Sequence, residues 1–159
     1  MNETILVVAL DEEGGISKNG GIPWNFTEDK KFFRQFLNGR NAIICGRKTY
    51  EELVKFAPNE NYYIVSNSLP NSYKTPVIAY ETAKYHIALK SGIHRDNMNI
   101  IIAGGVNVFD SLIKFSTLCF VTQIKGNFYC DRICNSSLEG KYNSIEVFSC
   151  DEYKRVLYT

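Results

Sequence analysis

An acid set among large apolar side chains is the first candidate for chemistry in this sequence. Asp29 is preceded by Trp24 and Phe26 and followed by Phe32 and Phe33. In a first helical turn such a carboxylate can simply complement the helix dipole. If the aromatic neighbours bury it, its charge is penalised and it needs a cationic or N–H-rich partner. Two other segments invite a ligand. Cys45-Gly46-Arg47-Lys48-Thr49 and Ala103-Gly104-Gly105-Val106 both read as an apolar strand, then glycine, then a helix start. Glycine lets the backbone come close to a bulky group, and the free N–H groups of a helix start suit phosphate. Arg47 and Lys48 add positive charge there and Thr49 a hydroxyl. Neither segment fits the Gly-x-Gly-x-x-Gly fingerprint or a P-loop, and either alone can be a plain strand-to-helix turn. Together they make a nucleotide-like ligand as good a reading as two plain turns. No metal is expected, because Cys130-x-x-x-Cys134 has no nearby histidine, and His86 and His94 read as surface positions.

The elements that must position these groups are legible as short apolar runs. Ile5–Leu10, Asn41–Cys45, Tyr62–Ser66, Thr75–Ala79, Asn99–Ala103 and Leu118–Ile124 read as strands. Ser144–Phe148 and Lys154–Tyr158 read as closing strands. Helices are expected from Thr27, as N-cap, to about Gly39, over Arg47–Leu53, over Thr82–Leu89 and over Val106–Ile113. Gly14, Gly15, Gly20 and Gly21 make the segment between Asp11 and Ile22 a surface loop. Strands and helices alternate and the chain then ends in strands. This predicts an α/β fold with a mostly parallel central sheet, helices on both faces and an antiparallel C-terminal edge. Ligands of such sheets bind beyond the carboxyl ends of the strands, where both glycine turns fall.

Composition bounds the rest. At 159 residues, with 45% hydrophobic and 22% charged residues, the chain is expected to form one domain over 1–159. A net charge of +1 provides no global field for nucleic acid or an anionic membrane. The longest apolar runs are far too short to span a bilayer, and the N-terminus carries no targeting pattern. The five cysteines are irregularly spaced. Cys45, Cys119 and Cys150 read as buried thiols, so a reducing, cytoplasmic setting is expected.

Five stretches in collinear order resemble the dihydrofolate reductase family. They are Gly15-Ile16-Ser17-Lys18-Asn19-Gly20-Gly21-Ile22-Pro23-Trp24-Asn25, Glu28-Asp29-x-x-Phe32-Phe33, Gly46-Arg47-Lys48-Thr49-Tyr50-Glu51, Ile102-Ala103-Gly104-Gly105-Val106-Asn107-Val108-Phe109 and Val121-Thr122-Gln123-Ile124. The resemblance implies reduction of 7,8-dihydrofolate to tetrahydrofolate with NADPH, an oxidoreductase step that supports thymidylate and one-carbon metabolism. It makes Asp29 the active-site acid, with Thr122 orienting the carboxylate and Trp24 holding a water near it. Val7, Val8, Phe33, Leu53 and Ala103 would wall the pterin pocket. Ala9, Ile16, Gly46, Arg47, Lys48, Thr49, Ser66, Asn67, Gly104, Gly105, Val106, Asn107, Val108 and Phe109 would hold NADPH. The segment Glu13–Ile22 would be a mobile loop, steadied by Asp131, and the protein a monomer.

One departure bears on the substrate. The family keeps an arginine before the strand at Tyr62, where it clamps the glutamate tail of folate. Here Glu60 stands there, a charge reversal, with Lys55, Arg34 or Lys30 as possible substitutes. A same-fold reductase of a smaller pterin or a riboflavin-pathway pyrimidine, or a non-catalytic binding protein of this fold, are the alternatives. Asn67 replaces a residue that often meets the 2′-phosphate, and Ser17 a loop glycine.

Overall fold

The computed structural model describes residues 2–58, 60–90, 98–138 and 140–159. A seven-stranded sheet forms its centre. Its strands are β1 (Thr4–Leu10), β3 (Ala42–Gly46), β4 (Asn61–Val65), β5 (Ile100–Gly104), β6 (Leu118–Ile124), β8 (Ser144–Ser149) and β9 (Tyr153–Tyr158), in the order β4-β3-β5-β1-β6-β9-β8. Parallel pairing joins β4 through β6, and β9 runs antiparallel to both β6 and β8. This is the expected α/β architecture with its antiparallel C-terminal edge. The helices are α1 (Thr27–Arg34), α2 (Arg47–Leu53), α3 (Pro76–Leu89) and α4 (Val106–Leu112), the last followed by a 3₁₀ turn. Among the described residues no helix is long and apolar enough to cross a membrane.

Side-chain alternation along the strands builds two apolar layers. Ile5 and Val7 of β1, Ile43 and Cys45 of β3 and Ile101 and Ala103 of β5 face α1 and α2, where Leu37, Leu53, Phe32, Phe33 and Phe36 meet them. Leu6 and Val8, Ile44, Ile102 and Val121 face the other way, onto α3 and α4. Each fully buried Leu or Ile contributes about 1.5–3 kcal/mol, so the two layers fix which residues of each strand can reach a ligand.

Several expectations are corrected. Thr75–Ala79 is no strand. Thr75 is the N-cap of α3, its Oγ1 accepting from the Ile78 N–H at 3.2 Å, with Pro76 in the first turn. The expected helix over Thr82–Leu89 is the later part of α3. Thr27 is not an N-cap: Phe26 holds that position in extended backbone without a side-chain cap. Helix α1 ends at Arg34, and single turns carry Phe36 and Leu37 onward. The loop from Asp11 to Ile22 contains a short strand, β2 (Gly15–Ser17), paired antiparallel with β7 (Arg132–Ile133). Cys45 and Cys119 are buried, whereas Cys150 is half-buried. His86 is no bare surface group, since its Nδ1 meets the Tyr63 hydroxyl at 2.7 Å. His94 lies outside the described residues.

Candidate active site

Helix α1 lies against the β1–β6–β9 part of the sheet and brings Asp29 over it. Thr122 of β6 donates its hydroxyl to Asp29 Oδ1 at 2.6 Å. Arg155 of β9 donates from Nη2 to the same oxygen at 2.7 Å. Thr122 and Arg155 are directly opposed in the β6–β9 ladder, and Arg155 Nε approaches Thr122 Oγ1 at 3.4 Å. The Arg155 and Asp29 side chains are only 8% and 16% exposed, so water screens this pair little. The guanidinium carbon sits 3.8 Å from the centre of the Phe32 ring, with Phe148 and Tyr153 at 5.6 and 5.9 Å. Burial pushes the Tyr153 phenol up, and the Cys150 and Asp29 charges add to it while Arg155 opposes.

The remaining predicted residues divide by strand face. Val7, Leu53 and Ala103 share one buried cluster with Phe33, on the side of the sheet that carries α1. Trp24 is buried in a third cluster with Ile124 and Tyr153, against Ala9 and with Phe128 edge-on at 5.3 Å. Val8 is a correction: its side chain belongs to the opposite layer with Leu6 and lines a cavity of about 600 Å³ there, together with Leu10, Phe109 and Val121. That cavity holds none of the residues around Asp29. Its one deeply buried acid, Asp11, already takes several donors.

Both glycine turns meet at neighbouring strand ends. Cys45 and Gly104 are partners in the β3–β5 ladder. A Cβ added to Gly46 would lie 3.9 Å from the Gly104 carbonyl and the Gly105 nitrogen, and one added to Gly105 would lie 3.9 Å from Thr49 Oγ1. Gly104 has φ +115°, where a side chain is strained, and its Cβ would also strike the Phe109 ring at 3.0 Å. Without side chains, the backbone of these two turns is open to close approach by a ligand. Arg47 and Lys48 open α2 beside it, Arg47 paired with Glu51 at 2.8 Å. Val106 and Asn107 begin α4 at its edge, whereas Val108 and Phe109 are core side chains and can offer only backbone. Ser66 and Asn67 follow β4, the next strand over, and Ser66 Oγ accepts from the Ser68 and Leu69 amides at 3.2 Å each. Ile16 leans on the layer facing α4.

Asp131 sits where the resemblance puts it. Its Oδ2 accepts from the Asn19 N–H at 2.9 Å and its own N–H donates to the Ser17 carbonyl at 3.1 Å. A second acid of this joint, Asp11, was not anticipated. Oδ1 of Asp11 accepts from the amides of Glu13 and Gly15, and Oδ2 from the amide of Phe128. Burial alone would push the Asp11 carboxyl up; the Phe128, Gly15 and Glu13 amides and the Cys130 thiol outweigh it and hold it below its ordinary value. Arg155 was also missed. A charge on the same strand face as Tyr153 was the available signal, since alternation puts both inward if either is.

The family model for dihydrofolate reductase matches residues 3–157. The chain belongs to the dihydrofolate reductase family. Its relatives include the type 9 dihydrofolate reductase of Escherichia coli, 27% identical over 126 residues, covering 77% of this chain and 70% of that protein. The dihydrofolate reductase of Saccharomyces cerevisiae is 29% identical over 133 residues, covering 75% and 63%. A solved dihydrofolate reductase of Enterococcus faecalis, in complex with NADP(H) and RAB-propyl, superposes with a TM-score of 0.68 at 22% identity over 98% of this chain and 95% of that one. Within a dihydrofolate reductase fold, the half-buried acid of α1 sits against β6 and β9, and the paired glycine turns lie at the ends of β3 and β5.

Proposed function

We propose that this protein reduces 7,8-dihydrofolate to tetrahydrofolate with NADPH. The observation that carries the reading is Asp29, held by Thr122 above the wall made by Val7, Phe33, Leu53 and Ala103. When bound, NADPH supplies the hydride. Gly46, Gly104 and Gly105 would take its backbone-hugging phosphates, with Arg47, Lys48 and Thr49 at the side. Asp29 accepts from the amino and ring N–H edge of the pterin, the edge remote from the C=N bond that is reduced. It would therefore orient and polarise the ring, leaving water to supply the proton to the ring nitrogen. Segment Glu13–Ile22, tied down through Asp11 and Asp131, would close the site against bulk water. The direct test is NADPH oxidation with dihydrofolate by the purified chain; binding of NADPH without any turnover of dihydrofolate refutes the activity.

One observation favours a second substrate reading. Among the described residues, nothing hydrogen-bonds the buried Glu60 Oε2. None of the three cations offered as substitutes is paired with it: Lys30 donates to Asn25, Lys55 pairs with Glu52, and Arg34 lies 4.6 Å from the Phe56 ring centre. A carboxylate there repels a glutamate tail, so a tail-less pterin is the alternative substrate. Glu60→Arg is expected to lower KM for dihydrofolate by roughly tenfold or more and to leave KM for a tail-less dihydropterin unchanged. An unchanged KM for dihydrofolate removes the tail from the account. A net charge of +1 supports the further reading that the protein binds neither nucleic acid nor an anionic membrane, and its free cysteines support a reducing, cytoplasmic setting.

A further inference from the structure

A carboxylate offers about four lone-pair sites, two on each oxygen. At Asp29 both sites of Oδ1 are taken, by the Thr122 hydroxyl at 2.6 Å and by Arg155 Nη2 at 2.7 Å. Among the described residues no hydrogen bond reaches Oδ2. A ligand with adjacent ring N–H and amino donors ordinarily places one on each oxygen. Here Oδ1 is already filled, and both donors fall to the two open sites of Oδ2. The carboxylate's charge is compensated too, by a guanidinium that is itself 7% exposed and seated on Phe32 with Phe148 and Tyr153 around it. That cage favours a cation on the aromatic faces and prevents Arg155 from swinging out to water.

We propose that Arg155 is a specificity-determining residue, an internal counter-ion that makes the Asp29 site select neutral ring ligands over protonated ones. The inference rests on Asp29 being the substrate acid. An unpaired buried carboxylate rewards a ligand that arrives with its own positive charge. One already paired rewards it less, and the guanidinium repels the incoming cation directly. Neutral dihydropterin keeps its hydrogen bonds to Oδ2 and incurs no such repulsion. Arg155 touches the acid and not the reacting bond, so its effect falls on ligand choice.

The experiment uses the full chain with NADPH and a matched pair of pteridines, the 2-amino-4-oxo compound and its basic 2,4-diamino counterpart. Their dissociation constants are read from quenching of Trp24, the sole tryptophan, for wild type, Arg155→Met, Arg155→Gln and Arg155→Lys. Removing the charge is expected to strengthen the diamino compound at least about tenfold more than the oxo compound. Arg155→Lys is expected to keep the wild-type ratio. If the ratio is the same in wild type and in the Met and Gln variants, with NADPH binding intact, Arg155 only packs against the acid and the proposal fails. Should Arg155→Met not fold, Arg155→Gln, which retains a shorter, uncharged donor, gives the same decision; collapse of both neutral variants with Lys rescue but an altered ligand ratio in Arg155→Lys also overturns it. Asp29→Asn separates the two levels. If it leaves both affinities unchanged, the assignment of the substrate acid is wrong. If it alters them while the Arg155 variants do not change the ratio, only the present inference falls.

Discussion

Asp11 ties the start of the Asp11–Ile22 loop to the segment after β6, and replacing it with asparagine isolates the worth of that tie. Oδ1 accepts from Glu13 at 2.9 Å and Gly15 at 2.8 Å, and Oδ2 from Phe128 at 2.9 Å and the Cys130 thiol at 3.7 Å. In Asp11→Asn the amide oxygen keeps the first two bonds, but the NH₂ group confronts two donors. The loss is a charge-assisted hydrogen bond, and the orphaned Phe128 N–H overlaps with it, so the expected cost is about 2–4 kcal/mol. Urea unfolding at pH 7 measures it, and the accompanying fall in Tm is roughly 5–15 °C for a chain of this size. The pH dependence supplies a second check. The folded Asp11 carboxyl lies below its ordinary value of 3.8. Its contribution is therefore complete above that value and is lost as pH falls through the folded one. Wild type loses this stabilisation in acid and the asparagine variant has none to lose, so the gap between them narrows below about pH 4. A cost under about 1 kcal/mol at pH 7, or a gap that stays constant into acid, refutes the reasoning.

Three further outcomes are expected. Asp29→Asn keeps the fold and NADPH affinity within about twofold but lowers turnover by about 10²–10⁴, as steady-state NADPH oxidation will show; unchanged turnover defeats its role. Gly15→Ala places a Cβ 2.5 Å from Cys130 Cβ and 2.7 Å from its Sγ, and costs about 1–3 kcal/mol in thermal unfolding. Adding Cys130→Gly should recover most of that loss, and an additive double variant argues against the contact. Burial pushes Cys45 up to about 12 and Cys119 up to about 11. Iodoacetamide at pH 8 should modify both in the folded protein about 100-fold or more slower than in urea, by mass spectrometry.

The buried strands were legible because each is a near-continuous apolar run, which only a sheet covered on both faces requires. Thr75–Ala79 misled for a physical reason. Its β-branched residues favour a strand, yet Thr75-Pro76 is also a helix start, and the stripe Ala79, Tyr80, Ala83 and Ile87 settles the matter by packing on the core. The pairing of Gly15–Ser17 with Arg132–Ile133 joins segments more than a hundred residues apart, so no local pattern announces it. At the site, Asp29 stood out by its aromatic surroundings. Arg155 did not, because strand alternation says which residues share a face and not which face is inward; that is decided by β6 and α1, elements distant in sequence. Val8 was misplaced for the same reason: the resemblance assigned it a position, and the parity of β1 turned its side chain away.

The position of β9 has a consequence for how the chain can assemble. It is made after β8 yet lies between β8 and β6, so the earlier strand has nothing to dock on until the later one arrives. Until then the growing sheet is open at β6, and Asp29 faces Thr122 with its basic neighbour still absent. The last two strands must therefore join as a pre-paired hairpin or in reverse order of synthesis. The acid's environment is completed only in that final step, making the binding cleft itself a reporter of finished folding.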